Sequence, residues 1–242
     1  LRPIVAPDIS AASSMVADYI ERLLQDKPDA LLGLPTGGTV AELYPLLVQR
    51  YRVGKIDFSK ASIVNIDEYV GLDNSHPCSM AHYLHTNLIS KINISEKKVH
   101  LFESGDTSTA LKNYSDYLEQ NNIDYLVLGV GANGHVGFNE PDNCFHAMPH
   151  MVQLSEQTIR SNSTYFAQGE EVPRMAMTIG MKHIVAAGNV TLMAFGQAKA
   201  DAINALISAD ITTTDLPCSI LKLCQGVVII VDVVLAQAAG IE

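Results

Sequence analysis

The chain has 242 residues, 48% hydrophobic and 17% charged, with a formal net charge of −10, which describes a folded globular protein with a full core rather than a disordered or fibrous one. The acidic balance argues against a nucleic-acid partner, whose phosphates demand a basic surface, but leaves room for a small anion in a locally positive cleft. No apolar run approaches the ~20 residues of a membrane helix, VVIIVDVVLA being short and broken by Asp232, and LRPIVAPD lacks the regions of a signal peptide.

In chain order, amphipathic ISAASSMVADYIERLLQD predicts a first helix, and ALLGLP at residues 30–35 predicts a strand. TVAELYPLLVQRY then reads as helix, ASIVNID (61–67) and KKVHLF (97–102) as strands, and ALKNYSDYLEQN as helix. YLVLGV (125–130) is a strand that runs into the glycine-rich LGVGANGHVGFNEP. TIRSNSTYFAQGEEVP (158–173) is the most polar long connection, and a mobile lid is expected around residues 155–175. NVTLMAFG (189–196), helical QAKADAINALISA and strand VVIIVD (227–232) complete the pattern. Several strands are apolar on both faces, as parallel strands covered by helices are. Strand–helix alternation predicts an α/β fold: a doubly wound, mostly parallel sheet with helices on both faces, Rossmann-like, in a single domain over residues 1–242. Cys78, Cys144, Cys218 and Cys224 form no CxxC pair and are expected as free thiols in a reducing cytoplasm.

Ligands of such sheets bind beyond the carboxyl ends of the strands, and four strand ends here carry unusual chemistry. In GLPTGGT, Gly37 and Gly38 let backbone amides approach a ligand and Thr36 and Thr39 supply hydroxyls ahead of a helix, an arrangement suited to phosphate. It lacks the lysine of a Walker loop, and a plain strand–helix turn with a threonine cap fits the same residues. In NIDEYVGL, alternation along a strand lets one of Asp67 and Glu68 face the cleft, where a buried carboxylate can remove a proton next to a carbonyl. The competing role for Asp67 is a helix or turn cap. In LGVGANGHVGFNEP, Gly131 and Gly134 shape a thin loop from which His135 and Glu140, beside Asn133, form a tunable acid–base group. In GQAK, Lys199 opens a helix, a site disfavoured by the helix dipole unless an anion binds there. The residues alone thus predict acid–base chemistry on a small phosphorylated substrate, without a metal cage or dinucleotide fingerprint.

GLPTGGT, NIDEYVGL, LGVGANGHVGFNEP and GQAK, in this order over nearly the whole chain, resemble the glucosamine-6-phosphate deaminase (isomerase) family. The resemblance implies conversion of glucosamine 6-phosphate and water into fructose 6-phosphate and ammonia, in amino-sugar catabolism and without a cofactor. It makes Asp67 the base that moves a proton from C2 to C1. His135 becomes the ring-opening group, oriented by Glu140 and Asn133. Thr36, Gly37, Gly38, Thr39, Gly134 and Lys199 would hold the substrate and its phosphate. The related 6-phosphogluconolactonases differ in the motif around Asp67 and where this chain has FNEP.

Three departures from the family pattern bear on function. Asn133 stands where many members have Asp. SNSTYF puts Thr164 at the position of a phosphate-binding lid arginine, so that Arg160 or Arg174 is the expected substitute. That change also raises the galactosamine epimer as an alternative substrate, and a catalytically weak sugar-phosphate sensor as another reading. The segment after FNEP, DNCFHAMPHMVQL, lacks the basic residues of allosteric hexameric members, so a monomer or small homo-oligomer without such activation is expected.

Overall fold

A computed structural model describes residues 1–241. Seven parallel strands form the central sheet: β1 (Ile4–Ala6), β2 (Leu31–Leu34), β3 (Ser62–Asn65), β5 (Val99–His100), β6 (Tyr125–Leu128), β9 (Asn189–Ala194) and β10 (Val227–Asp232). Their spatial order is β1-β10-β9-β6-β2-β3-β5. β2 and β6 are neighbours from which successive strands are laid outward in opposite directions, so a crevice opens at their carboxyl ends.

Alternation along the strands divides the interior in two. Leu31, Leu126 and Leu128 pack with α4 (Thr107–Gln120), α7 (Ala200–Ser208) and α8 (Val233–Ala239) through Tyr114, Ile203 and Leu235. Leu32, Tyr125 and Val127 face the other way, against α1 (Ile9–Asp26) and α2 (Leu43–Arg52) through Val16, Ile20 and Leu47. Each such side chain contributes about 1.5–3 kcal/mol on full burial, so both faces need their helices. The helices begin where short polar side chains satisfy first-turn amides. Asp8 accepts from Ala11 N at 2.8 Å, Asp106 from Thr109 N at 2.8 Å and Asp232 from Leu235 N at 2.9 Å.

A second, antiparallel sheet of β4 (Asp67–Tyr69), β8 (Met175–Thr178) and β7 (His150–Gln153), in the order β4-β8-β7, lies outside the expected pattern. The strand expected over residues 61–67 is in fact two. The chain leaves the parallel sheet at Ile66, whose carbonyl accepts from Ile179 N at 2.8 Å, and Asp67 then pairs with Thr178. Two helices also start later than their patterns suggest. A 3₁₀ turn at Gly38–Val40 precedes α2, and another at Gln197–Lys199 precedes α7. Each turn follows a glycine at positive φ, Gly37 at 82° and Gly196 at 77°, a backbone state that L side chains disfavour. Three short helices complete the α-helical elements among the described residues: α3 (Met80–Asn87), α5 (Glu156–Asn162) and α6 (Met181–Ala186). The expected polar connection therefore contains a helix at its start, and Phe166 within it is buried with Tyr69, Phe138 and Leu154.

Candidate active site

Asp67 and Glu68 leave the sheet side by side and meet opposite fates. Glu68 is fully buried at the N-terminus of α3, where its carboxylate accepts from Ser79 Oγ (2.8 Å), Ala81 N (2.9 Å), Met80 N (3.0 Å) and Tyr69 N (2.9 Å). The capping role that was open for Asp67 thus falls to Glu68. Asp67 points the other way, lines a cavity of about 350 Å³ at the sheet's carboxyl edge, and is 7% exposed. Its carboxyl accepts no hydrogen bond among the described residues. Burial first, and then the charge of Glu68, pushes it up to about 8. Burial raises Glu68 too, but its four donors favour the ionised form, so of the two Asp67 is the carboxyl that keeps its proton longest.

Across the cavity stands His135. A Cβ on Gly131 would lie 2.3 Å from the imidazole Cε1, so only glycine lets the ring rest against this loop. His135 Nδ1 is 3.6 Å from Glu140 Oε2. Glu140 sits behind the ring with its side chain 6% exposed and accepts from Asn133 Nδ2 (2.5 Å), Thr158 Oγ1, and Ser155 N and Oγ (3.3 Å each). Burial opposes its ionisation, but the contacts with His135, Thr158 and Asn133 outweigh that and hold it at about 2. Asn133 also accepts from His135 N through Oδ1 at 3.2 Å. An amide can donate to Glu140, which a carboxylate in its place could do only when protonated.

The third wall is the expected phosphate site. Thr36, Gly37, Gly38 and Thr39 line the cavity, as does Lys199. Thr39 packs against Gly129 at the end of β6, where a Cβ would come within 2.9 Å of its Oγ1. The turn that carries Lys199 is held by Asp232, which accepts from Gly196 N at 3.0 Å. Lys199 is half-buried, forms no salt bridge among the described residues, and has its pKa lowered by burial. A cation turned into a cavity without a counter-ion is poised for an anionic ligand.

Asp67, Asn133, His135, Thr36, Gly37, Gly38, Thr39 and Lys199 thus share one cavity. Glu140 belongs to the site through His135. Gly134 does not line the cavity: a Cβ there would run into Leu216, and its carbonyl accepts from Cys218 N at 2.8 Å. Arg160, an expected substitute for the lid arginine, is exposed and also outside the lining. Arg174 is paired with Glu156 at 2.7 Å on the surface. Thr164 is exposed as well, its hydroxyl donating to Ser161 O at 3.1 Å. The next residue, Tyr165, reaches the cavity instead: a Cβ on Gly38 would lie 3.4 Å from its hydroxyl. Tyr165 and Thr158 were not anticipated. The Ser155-x-x-Thr158 spacing, with Ser155 capping α5, is the trace that marks Thr158 in the sequence. Among the described residues no group of three or more His, Cys, Asp or Glu side chains is placed to hold a metal ion.

The sequence and the geometry have relatives. Residues 8–230 match the family model described as glucosamine-6-phosphate isomerases/6-phosphogluconolactonase. The chain is 40% identical to glucosamine-6-phosphate deaminase 2 of Bacillus subtilis (strain 168), over 98% of this chain and 97% of that protein. It is 37% identical to a glucosamine-6-phosphate deaminase of Thermoanaerobacter sp. (strain X514), over 96% and 92% respectively. Among solved structures, a monomeric glucosamine-6-phosphate deaminase superimposes with a TM-score of 0.92 at 30% identity, covering 98% of this chain and 100% of that one. The 6-phosphogluconolactonase of Trypanosoma cruzi, with a TM-score of 0.78 at 16% identity over 98% and 96% of the two chains, shares the fold.

Proposed function

The chain belongs to the family of glucosamine-6-phosphate isomerases and 6-phosphogluconolactonases, and on that premise we propose that it is a glucosamine-6-phosphate deaminase, which converts glucosamine 6-phosphate and water into fructose 6-phosphate and ammonia. One observation carries this reading: a buried Asp67 carboxyl shares a cavity with His135 and with the cation of Lys199, and among the described residues neither Asp67 nor Lys199 has a partner for its charge. The geometry suits the two proton transfers of the reaction. His135, backed by Glu140, assists opening of the pyranose by moving the O1 proton to O5. Asp67, once ionised, takes the C2 proton and returns it to C1 through an enolamine. The resulting C2 imine then loses ammonia to water. The substrate's own ammonium, arriving beside Asp67, favours the ionised carboxylate and so prepares the base.

The phosphate is bound by the loop at Thr36–Thr39 (residues 36–39) with Lys199, and by the phenol of Tyr165. Binding energy gained at that remote group holds C1 and C2 against Asp67. The 37–40% identical relatives named as glucosamine-6-phosphate deaminases support glucosamine over its epimer, and catalysis over mere sensing. The segment around residues 155–175 serves as the lid of this site. The protein acts as a single domain and a monomer in the cytoplasm. A monomeric deaminase as structural neighbour supports the monomer, and four free cysteines support the cytoplasm. No helix among the described residues is long and apolar enough to cross a membrane. Incubation with glucosamine 6-phosphate is expected to give ammonia and fructose 6-phosphate in equal amounts. Failure to form either product refutes the proposal.

A further inference from the structure

The two nitrogens of a neutral imidazole have opposite roles, one a donor and one an acceptor, so ring opening depends on which of them holds the proton. We propose that Thr158 is a positioning residue that fixes His135 in the tautomer protonated on Nδ1, leaving the lone pair of Nε2 for the sugar. The inference rests on the deaminase reading for its chemistry, but its geometry stands apart from it.

The argument is a count of hydrogens. Thr158 is 2% exposed, so water does not complete its bonding. Its hydroxyl has a single hydrogen, and its oxygen neighbours Glu140 Oε1, Ser155 Oγ at 3.0 Å and His135 Nδ1 at 3.3 Å. An ionised carboxylate only accepts, so the one hydrogen goes to Glu140. Lone pairs are then all that Thr158 offers to its other neighbours. Ser155 Oγ has one hydrogen, for which Thr158 Oγ1 and Glu140 Oε1 compete, so it occupies at most one of those lone pairs. His135 Nδ1 can bond to the other only as N–H. A second contact agrees: Glu140 Oε2, 3.6 Å from Nδ1, is also favourable only to a protonated Nδ1. Nε2 makes no hydrogen bond among the described residues and His135 lines the cavity, so Nε2 is the nitrogen left for substrate.

In that tautomer ring opening balances. The Nε2 lone pair takes the proton from O1–H, the electrons of that bond form C1=O1, and the C1–O5 bond breaks. Nε2–H then delivers the proton to O5. Meanwhile the transient imidazolium keeps its Nδ1 hydrogen against Glu140 and Thr158. The opposite tautomer would present an N–H to the O1 hydroxyl and stall the first step.

Long-range proton–nitrogen NMR of the imidazoles in the full-length protein reads the tautomer directly, with His135→Gln identifying the signal. The wild type is expected to show the Nδ1-protonated form. Thr158→Val should mix the tautomers and lower kcat by at least about tenfold, a part of the ~10²–10⁴-fold that a placed acid–base group supplies, with little change in KM. Thr158→Ser should restore both signals. An Nε2-protonated wild type, or a Thr158→Val variant with unchanged tautomer and kcat, overturns the proposal. If Thr158→Val does not fold, Thr158→Ala carries the same comparison, and an Nε2-protonated wild type overturns the proposal in either case. A wild type with the expected tautomer but no ammonia release would instead refute the deaminase reading.

Discussion

Asp67 differs from its neighbour Glu68 less in burial than in partners, and the difference has a sign that pH can test. Its folded value of about 8 lies above the ordinary value of 3.8 for an aspartate, so the folded state holds its proton more tightly. That contribution to stability is complete below 3.8 and is lost as pH rises through about 8. Asp67→Asn removes the titration. The variant is expected to gain stability relative to wild type, on the order of a few kcal/mol, when pH passes from the acid to the alkaline side of that window. Thermal melts of both proteins on either side measure it, and a constant difference refutes it. For the same reason kcat/KM of the wild type should climb with pH towards about 8. Lys199→Ala removes the cation for the phosphate and is expected to raise KM about ten- to hundredfold, the worth of a charge-assisted hydrogen bond. An unchanged KM would remove Lys199 from the phosphate site. The role of Asp67 was legible in the sequence only as a choice between base and cap. The resemblance favoured the base, and in the structure the N-terminus of α3 takes Glu68 and leaves the Asp67 carboxyl without a hydrogen bond among the described residues.

At the scale of elements, the segment around α5 reaches two ends of the cavity. Its first turn brings Ser155 and Thr158 to Glu140, and its far side brings Tyr165 over Gly37 and Gly38. Phe166 in the cluster with Tyr69 and Phe138, Asn162 Nδ2 donating to Tyr69 at 2.8 Å, and Cys78 Sγ against Tyr165 O at 3.3 Å hold it there. No arginine of this segment lines the cavity among the described residues, and of its polar lining groups the Tyr165 hydroxyl is the one that lies against Gly37 and Gly38. Tyr165→Phe is expected to raise KM several-fold with kcat little changed, and steady-state kinetics with equal KM for both proteins would contradict it. These contacts were not legible because α5 has a mixed polar face and β7 and β8 pair only with each other and β4. A short antiparallel sheet leaves a weaker pattern than strands buried on both faces. The glycine loops, in contrast, announced themselves, and the structure gives their glycines local reasons: Gly131 makes room for the His135 ring and Gly37 holds a φ of 82°.

Across the whole molecule, the parallel sheet was readable because β2, β6, β9 and β10 must satisfy two apolar layers at once. The edge strand β1 was not, being three residues long. The point at which the sheet reverses direction follows from strand order, which no local pattern encodes. The same crevice assembles residues from distant parts of the chain, and every catalytic group proposed here comes from this one chain. The protein is therefore expected to be active as a monomer near its chain mass of 26.2 kDa, and light scattering under assay conditions, with activity only in a larger species, would contradict that. The central claim is that this cavity deaminates glucosamine 6-phosphate with Asp67 as its base. Ammonia release from glucosamine 6-phosphate by the wild type and by Asp67→Asn, side by side, tests it most directly. The account predicts turnover by the wild type and a loss of at least ~10²-fold in the variant, which should still be stabilised by the sugar phosphate. Near-normal turnover by the variant, or none by the wild type, would contradict it.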